Sequence, residues 1–351
     1  MLNMVNLKQY NLREIKEFLH NYFINNNLIL KNEKILLKPN LISPKTADKG
    51  VNTHPAVIQA VGEYLKDFNN KIFIGDSPGV GTLKLNLKVS GILEVVKKLD
   101  ISIYNFKKCI EIKKENNKIL KNFKIADAAF NFDRIINIAK LKTHCMTDIT
   151  LCVKNCYGFI VGREKVKYHL KAGHNINLFA DILIDIFETV NPEINIIDGI
   201  LGMEGNGPTS GNRKYFKIFG ISQNGYLLDR AVERLVGFKR KTVVSYQATK
   251  RGLLDESLIP ELNLKLQKIK RAKSKSARFR IPKFITDIFM AKPSINNKVC
   301  KKCMKCFNSC PPQAIIYKDG KLEIDYLKCI RCFCCHELCI YGAVDIKRLF
   351  F

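Results

Sequence analysis

Along the chain up to about Pro260, short apolar runs alternate with longer stretches in which apolar residues recur every three or four positions. The runs are KILLKPNL (Lys34 to Leu41), KIFIGDSPG (Lys71 to Gly79), DRIINIAKL (Asp133 to Leu141), INIIDGI (Ile194 to Ile200) and KYFKIFGIS (Lys214 to Ser222). Their β-branched or aromatic character and their Gly, Pro, Asn or Asp boundaries predict strands. Between them, HPAVIQAVGEYLKDF, LKLNLKVSGILEVVKKL, NINLFADILIDIFETV and YLLDRAVERLVG carry the spacing of helices with one apolar face. Such alternation predicts an α/β fold, a mainly parallel sheet covered by helices, with ligands at the carboxyl ends of the strands.

The pattern then changes. From Leu262 to Thr286 there is no acidic residue, and nine Lys or Arg fall between Lys265 and Lys283. This stretch reads either as a solvated join or as a basic docking stripe, and the join is preferred. After it the chain is dominated by cysteine. The expected organisation is an α/β domain over residues 1–261, a basic linker or helix over 262–296, and a small α+β cysteine-rich domain over 297–351.

Nine of the thirteen cysteines lie between Cys300 and the C-terminus. Cys300, Cys303, Cys306 and Cys310 have the spacing C-x2-C-x2-C-x3-C, and Cys329, Cys332, Cys335 and Cys339 repeat it at a constant offset. Ala314-Ile315 and Ala343-Val344 align at the same offset, so the tail is an internal duplication. Soft thiolates suit iron, and in the two-cluster arrangement the fourth cysteine of each run ligates the other cluster. The expected cofactors are therefore two [4Fe-4S] clusters. One takes Cys300, Cys303, Cys306 and Cys339, and the other takes Cys329, Cys332, Cys335 and Cys310. Zinc ribbons use separated pairs and do not call for a third cysteine three positions on. Residues Asn297 to Ile346 resemble the bacterial ferredoxin family, with Cys310-Pro311 matching its pattern and Ile340 standing where that family has proline. Cys334 belongs to neither repeat. It reads as a small packing residue, with a reactive thiol or replacement ligand as the alternative.

Charge and composition narrow the function classes. Hydrophobic content of 46% is globular, no apolar run reaches membrane-spanning length, and the N-terminal stretch lacks a secretion pattern, so a cytoplasmic location is expected. The formal net charge of +27 falls to roughly +23 once two clusters of about −2 each are added. A basic chain of this kind suits an acidic electron donor or acceptor, such as a flavodoxin or ferredoxin. Nucleic acid is disfavoured, because Phe279 and Phe284 are the only aromatics in the basic stretch and the Lys-, Asn- and Ile-rich composition follows from AT-rich coding.

Chemistry in the α/β part gathers around Leu141 to His169, LKTHCMTDITLCVKNCYGFIVGREKVKYH. Set on a helix, Cys145, Ile149, Cys152 and Cys156 would share one stripe; a third metal site is possible there, but small core residues are the preferred reading. His144 and His169 flank Lys142, Lys154, Asn155, Lys165 and Lys167, donors suited to an anionic substrate or to proton transfer. IFIGDSPGVGT ends a strand in a Gly-rich turn where backbone N–H groups face an anion; Lys38, Asp76 and Gly79 are candidate binding residues with Lys142 and Asn155, and Asp76 alternatively caps the next helix. MEGNGPTSG, Met203 to Gly211, lets backbone approach a ligand, making Glu204 a candidate acid or base, or else it is a long turn.

KPN at Lys38, GDSPG at Gly75, KLKTH ending at His144, VKNCYG at Val153, Lys165, His169 and DGILGMEGNGP from Asp198 together resemble the family catalogued as domain of unknown function 362. Members often carry a two-cluster ferredoxin module at the C-terminus with a CC pair like Cys334-Cys335. The resemblance implies an α/β fold and an iron–sulfur protein, with a remote similarity to the N-terminal domain of nickel-pincer lactate racemases, and names no reaction. The expectation is a redox protein whose clusters relay electrons to a pocket in the α/β domain, reducing a small anionic substrate with His144, His169, Lys154 and Glu204 as catalytic candidates. The alternative is a non-enzymatic electron carrier or cofactor-assembly protein whose α/β domain serves for docking.

Overall fold

The computed structural model describes residues 1–272 and 291–347. Most of the basic stretch, including the expected 262–296 join from residue 273 to 290, lies outside the described residues.

The chain runs through β1 (Leu2–Asn6), α1 (Leu12–Asn25), β2 (Lys34–Pro39), α2 (Pro55–Lys66), β3 (Lys71–Ile74), α3 (Leu83–Ser90), α4 (Ile92–Lys98) and β4 (Ser102–Ile103). A hairpin of β5 (Cys109–Lys113) and β6 (Asn122–Ala126) leads to β7 (Arg134–His144) and β8 (Asp148–Thr150). Then come α5 (Cys152–Asn155), α6 (Arg163–Ala172), α7 (Ile176–Val190), β9 (Ile194–Glu204), β10 (Asn212–Ser222), α8 (Gly225–Leu235) and α9 (Val243–Lys250). The main sheet has the order β1-β10-β9-β7-β2-β3-β4, with β8 beside β7. Strands β9, β7, β2, β3 and β4 are parallel, while β10 and β1 close one edge antiparallel.

Successive side chains of a strand point to opposite faces, and here each face meets its own core. Ile35 and Leu37 of β2 and Ile136 and Ile138 of β7 pack with Val57, Ile58 and Leu65 of α2. Leu36, Ile135, Ala139 and Leu141 turn the other way, onto Phe179, Ile182 and Ile186 of α7 and Leu228 and Val232 of α8. Each fully buried Ile or Leu contributes roughly 1.5–3 kcal/mol, so a register slip of one position would be opposed on both faces at once. Helix entries are fixed locally: Asn11, Thr82, Asn175, Asn224 and Thr242 accept backbone N–H groups at the starts of α1, α3, α7, α8 and α9.

Two expectations are corrected. LKLNLKVSGILEVVKKL is two helices, broken at Gly91 with φ +81°. The segment from Leu141 is not one helix carrying a cysteine stripe. Strand β7 continues to His144, β8 folds back on it (Lys142 opposite Thr150, His144 opposite Asp148), and only Cys152 begins a helix. Cys145, Cys152 and Cys156 are all buried in the core of that face.

The cysteine-rich tail pairs β11 (Lys292–Ile295) with β14 (Val344–Lys347) and β12 (Ile315–Lys318) with β13 (Lys321–Ile324), with two short helices at Lys305–Asn308 and Cys334–Leu338. Its backbone repeats the sequence duplication. Lys302, Met304 and Gln313 take φ of 50°, 58° and 52°, and their counterparts in the second repeat, Arg331, Phe333 and Gly342, take 52°, 56° and 66°.

Candidate functional site

The carboxyl ends of β2, β3 and β7 open into a cavity of about 730 Å³, and the cysteine module forms its far wall. From the α/β side come Lys38, Asn40, Asp76, Gly79, Lys142, His144, Thr150, Lys154, Asn155, Lys165 and His169; from the module come Ser309, Gln313, Cys334, Glu337 and Leu338. Thus eight of the nine candidates proposed for catalysis or binding converge, although they are scattered along the chain from Lys38 to His169. Glu204 does not join them. It is held at the rim of the sheet by the Lys270 N–H at 2.9 Å and by Lys214 Nζ at 3.4 Å.

The floor is a closed polar network. Lys38 Nζ donates to Asp76 Oδ1 at 2.8 Å, and the same carboxylate accepts the N–H groups of Ser77 and Leu41 at 2.8 and 2.9 Å. Asp76 therefore secures Lys38 and the GDSPG turn; the cap of the following helix is Thr82, one position before it. Lys142 Nζ donates to Asn40 Oδ1 at 2.6 Å and to the Val51 carbonyl at 2.7 Å, and Asn40 Nδ2 in turn donates to Asn155 Oδ1 at 2.7 Å. Gly158 is required beneath this network, since a Cβ there would lie 2.6 Å from Lys38 Nζ.

Above the floor, groups are less completely paired. Lys154 Nζ has no hydrogen-bond acceptor among the described residues and hangs over the rings of Tyr157 and Phe179 at 5.6 and 5.9 Å. Thr150 Oγ1 and His169 Nδ1 are buried without a hydrogen-bond partner among the described residues. His169 stacks on Phe179 with centroids 4.5 Å apart. His144 accepts the N–H groups of Met146 and Thr147 at Nδ1, at 3.1 and 3.3 Å, which leaves its proton on Nε2. That atom stands 2.8 Å from Glu337 Oε1, close but bent away from a straight hydrogen bond. Short helix α5, which carries Lys154, is fastened by Asp229, whose carboxylate accepts the N–H groups of Cys152 and Val153 at 2.8 and 3.0 Å; burial pushes its pKa up to about 7.

Burial governs the charges. It pushes His144 and His169 down to about 4, with Lys154 adding to the effect in both, and it lowers Lys154 itself. Lys142 falls well below its ordinary value through burial and the nearby Lys154 and Lys140, and burial brings Lys165 to about 8. For Glu337 burial alone would raise the pKa, but His144, Lys154 and His169 outweigh it and hold the carboxyl below its usual range. An ionised carboxylate from the cysteine module is thus planted among basic groups of the sheet.

The glycine-rich segment Met203 to Gly211 serves the same junction. Thr209 Oγ1 donates to the Glu337 carbonyl at 3.2 Å, and the Asn206 carbonyl lies 3.0 Å from His336 Nε2. Lys45 Nζ reaches the Ile340 carbonyl at 2.8 Å, at the position where bacterial ferredoxins carry proline.

Two smaller hollows lie within the module. One is lined by Cys300, Cys303, Cys306 and Cys339, the other by Cys310, Cys329, Cys332 and Cys335. Matching backbone groups donate to the sulfurs: Lys302 N to Cys300 at 3.4 Å and Arg331 N to Cys329 at 3.4 Å, then Ala314 N to Cys310 and Ala343 N to Cys339, each at 3.2 Å. Thiols spread around a hollow and met by N–H donors suit a multi-iron cluster; among the described residues no three candidate ligands close on a single ion. Cys334 borders both the second hollow and the large cavity.

A family model described as domain of unknown function (DUF362) matches residues 35–234, more than half of the chain. The chain belongs to the DUF362 family. Residues 292–340 match a 4Fe-4S dicluster domain, so this DUF362 chain is an iron–sulfur protein with two [4Fe-4S] clusters, which implies redox partners. A thylakoid-associated protein of Synechocystis sp. is 28% identical over 225 residues, covering 64% of this chain and 70% of that protein. A dihydromethanopterin reductase (acceptor) of Methanosarcina mazei is 36% identical over 86 residues, covering 22% of this chain and only 36% of the reductase. Among solved structures, a Thermotoga maritima protein aligns over 70% of this chain and 60% of its own, at TM-score 0.41 and 17% identity. The lactate racemase apoprotein of Thermoanaerobacterium thermosaccharolyticum aligns over 66% and 52%, at TM-score 0.42 and 11% identity. Among the described residues no helix is long and apolar enough to cross a membrane.

Sequence reasoning gave no role to Glu337, Thr150, Tyr157 or Asp229. Tyr157 lies within VKNCYG, Thr150 falls in the polar segment beside Lys154, and Glu337 stands as an acid enclosed between Cys335 and Cys339. Asp229 is an ordinary residue of a helix whose position is set by tertiary contacts.

Proposed function

We propose that the chain is a reductase in which electrons from the cysteine module reach a small anionic substrate held in the large cavity. The observation that carries this reading is the shared wall: Cys334 and Glu337 of the module line one cavity with Lys154, Thr150 and His169 of the α/β part, whose Nζ, Oγ1 and Nδ1 find no hydrogen-bond partner among the described residues. The ligand sets are Cys300, Cys303, Cys306 with Cys339, and Cys329, Cys332, Cys335 with Cys310, each set lining one hollow. When bound, [4Fe-4S] clusters supply one-electron carriers.

The chain's own residues do the rest. Lys154 Nζ, Thr150 Oγ1 and His169 Nδ1 bind the anionic group, with Lys142 behind them fixed by Asn40 and Val51. Burial lowers the Lys154 pKa, which brings its ammonium closer to giving up a proton at neutral pH, so Lys154 is the proton donor. Neutral His144 stands with Nε2 2.8 Å from Glu337 Oε1, so the module's carboxylate borders the cavity beside it. The similarity of part of the chain to a Methanosarcina reductase supports a redox reading.

The test is reoxidation of the reduced protein. Cluster absorbance is followed anaerobically as small unsaturated carboxylates and phosphate esters are mixed in, for the wild type and for Lys154→Ala and His169→Ala. A compound that restores the oxidised spectrum in the wild type and fails in both variants supports the proposal. Equal reoxidation in all three proteins would discard it in favour of an electron carrier.

A further inference from the structure

The duplication provides an internal control for which side of the module meets solvent. Cys303 is exposed, while its counterpart Cys332 is 7% exposed and belongs to the core shared with the α/β part. Lys298, Lys301, Lys302 and Lys305 surround Cys303 in sequence and are all exposed. Their counterparts in the second repeat are Leu327, Ile330, Arg331 and Cys334, of which only Arg331 is charged, and it is 9% exposed. Among the described residues the module's ion pairs are Lys328 with Asp325 and His144 with Glu337, so none of the four lysines is engaged in one. Interleaved with them, Val299, Phe307 and Tyr341 expose 42%, 37% and 45% of their surface. Free ammonium groups around exposed apolar side chains and an exposed thiol form a surface that attracts an acidic partner over long range and then dehydrates on contact.

We propose that the face centred on Cys303 is the docking site of an acidic one-electron transfer protein. The half carrying Cys332 and Cys334 is turned to the α/β part: both pack in the core that holds Tyr157, and Cys334 lines the large cavity beside Tyr157. Leu338, which also lines the first hollow, borders the cavity with hydrocarbon, and Asn308, Ser309 and Gln313 of the first repeat reach it beside Cys310, a thiol of the second hollow. In the exchange one electron leaves the docked donor and one oxidised cluster accepts it; no bond forms or breaks, and any proton released by the donor goes to solvent. Redox contacts of this kind are small, below about 1,200 Å² in total, so a few lysines weigh heavily. The cavity's role as a substrate site rests on the function proposed above; the docking face does not.

The experiment reads the second-order rate of cluster bleaching by reduced flavodoxin, an acidic donor, with no substrate present, alongside calorimetric binding of oxidised flavodoxin. For the wild type both rate and affinity should fall roughly tenfold or more as ionic strength rises from about 0.02 to 0.3 M. The triple variant K301E/K302E/K305E should react about tenfold slower at low salt and lose most of the salt dependence, while photoreduction by uncharged deazaflavin and iron content stay as in the wild type. Reversal of Lys84 and Lys88, exposed on α3, should leave the flavodoxin rate unchanged. A salt-independent wild-type rate, or a triple variant that reacts as fast as the wild type, overturns the proposal; should the triple variant lose its clusters, the wild-type salt series alone decides. Since substrate is absent, a failure of the reductase reading would not alter these outcomes.

Discussion

Neutral histidines in the cavity tie stability to pH. The folded pKa values of His144 and His169, about 4, lie below the ordinary value near 6.5, so on acidification the unfolded chain takes up protons first. Their contribution is complete above pH 6.5 and is lost as the pH falls towards 4, at roughly 1 kcal/mol per pH unit for each residue. Histidine-resolved NMR titration should show both rings still neutral at pH 5. Bound clusters carry about −2 each and favour nearby cations, so the cluster-loaded protein should titrate His169 at a higher pH than the cluster-free protein. Lys154→Ala removes a cation with no competing acceptor among the described residues and should weaken binding of an anionic ligand roughly tenfold to a hundredfold, measured by calorimetry. Cys334→Ser should keep about eight irons per chain, whereas Cys332→Ser should lose about half, a comparison that iron and sulfide analysis decides.

At the scale of elements, the cavity depends on where strands and helices stop. The polar pattern KLKTH looked like a strand giving way to a helix, yet pairing with β8 and β9 extends β7 to His144 and carries that side chain to the cavity. Local periodicity carries no information about such pairing, which is made with residues distant in sequence. Gly91 shows the opposite case, a break set by one residue: its φ of +81° is open to glycine and costs other residues about 1 kcal/mol. Gly91→Ala should therefore lower the melting temperature slightly and leave the cavity's chemistry unchanged. Gly158→Ala should do far more damage. Its Cβ meets Lys38 Nζ at 2.6 Å, and parting the buried Lys38–Asp76 pair costs about 3–5 kcal/mol, a loss that thermal denaturation would register together with loss of ligand binding.

Across the whole molecule, the cysteine module and the sheet share one apolar core: Cys332, Phe333, Cys334 and Ile346 pack in the same cluster as α7 and α8. Shortening the chain before Ala291 strips that cluster of its cover and should lower the melting temperature of the remainder by roughly 5 °C or more in calorimetry. Two readings depended on this scale. The glycine-rich loop at Met203 to Gly211, expected to approach a ligand, borders the cavity through Pro208 and also holds the helix Cys334–Leu338 through Thr209 and Asn206. Cys334, expected to pack, does pack, but at the boundary between a cysteine-lined hollow and the cavity.

The sequence by itself determined the parts whose cause is local or repetitive. Alternating apolar rhythms specified the parallel sheet, because the two faces of each strand demand apolar residues in turn, and the doubled cysteine spacing set eight thiols on short, tightly turned segments that line two hollows. The resemblance of KPN, GDSPG, KLKTH and VKNCYG to a known family marked the residues that the fold then gathered. Only tertiary structure decided which of them meet. Glu337 reaches His144 from the far end of the sequence, Asp229 fastens the helix of Lys154, and Glu204 is drawn away by Lys270 and Lys214. These arrangements come from how the module seats on the sheet, a contact between surfaces that no short window of sequence encodes.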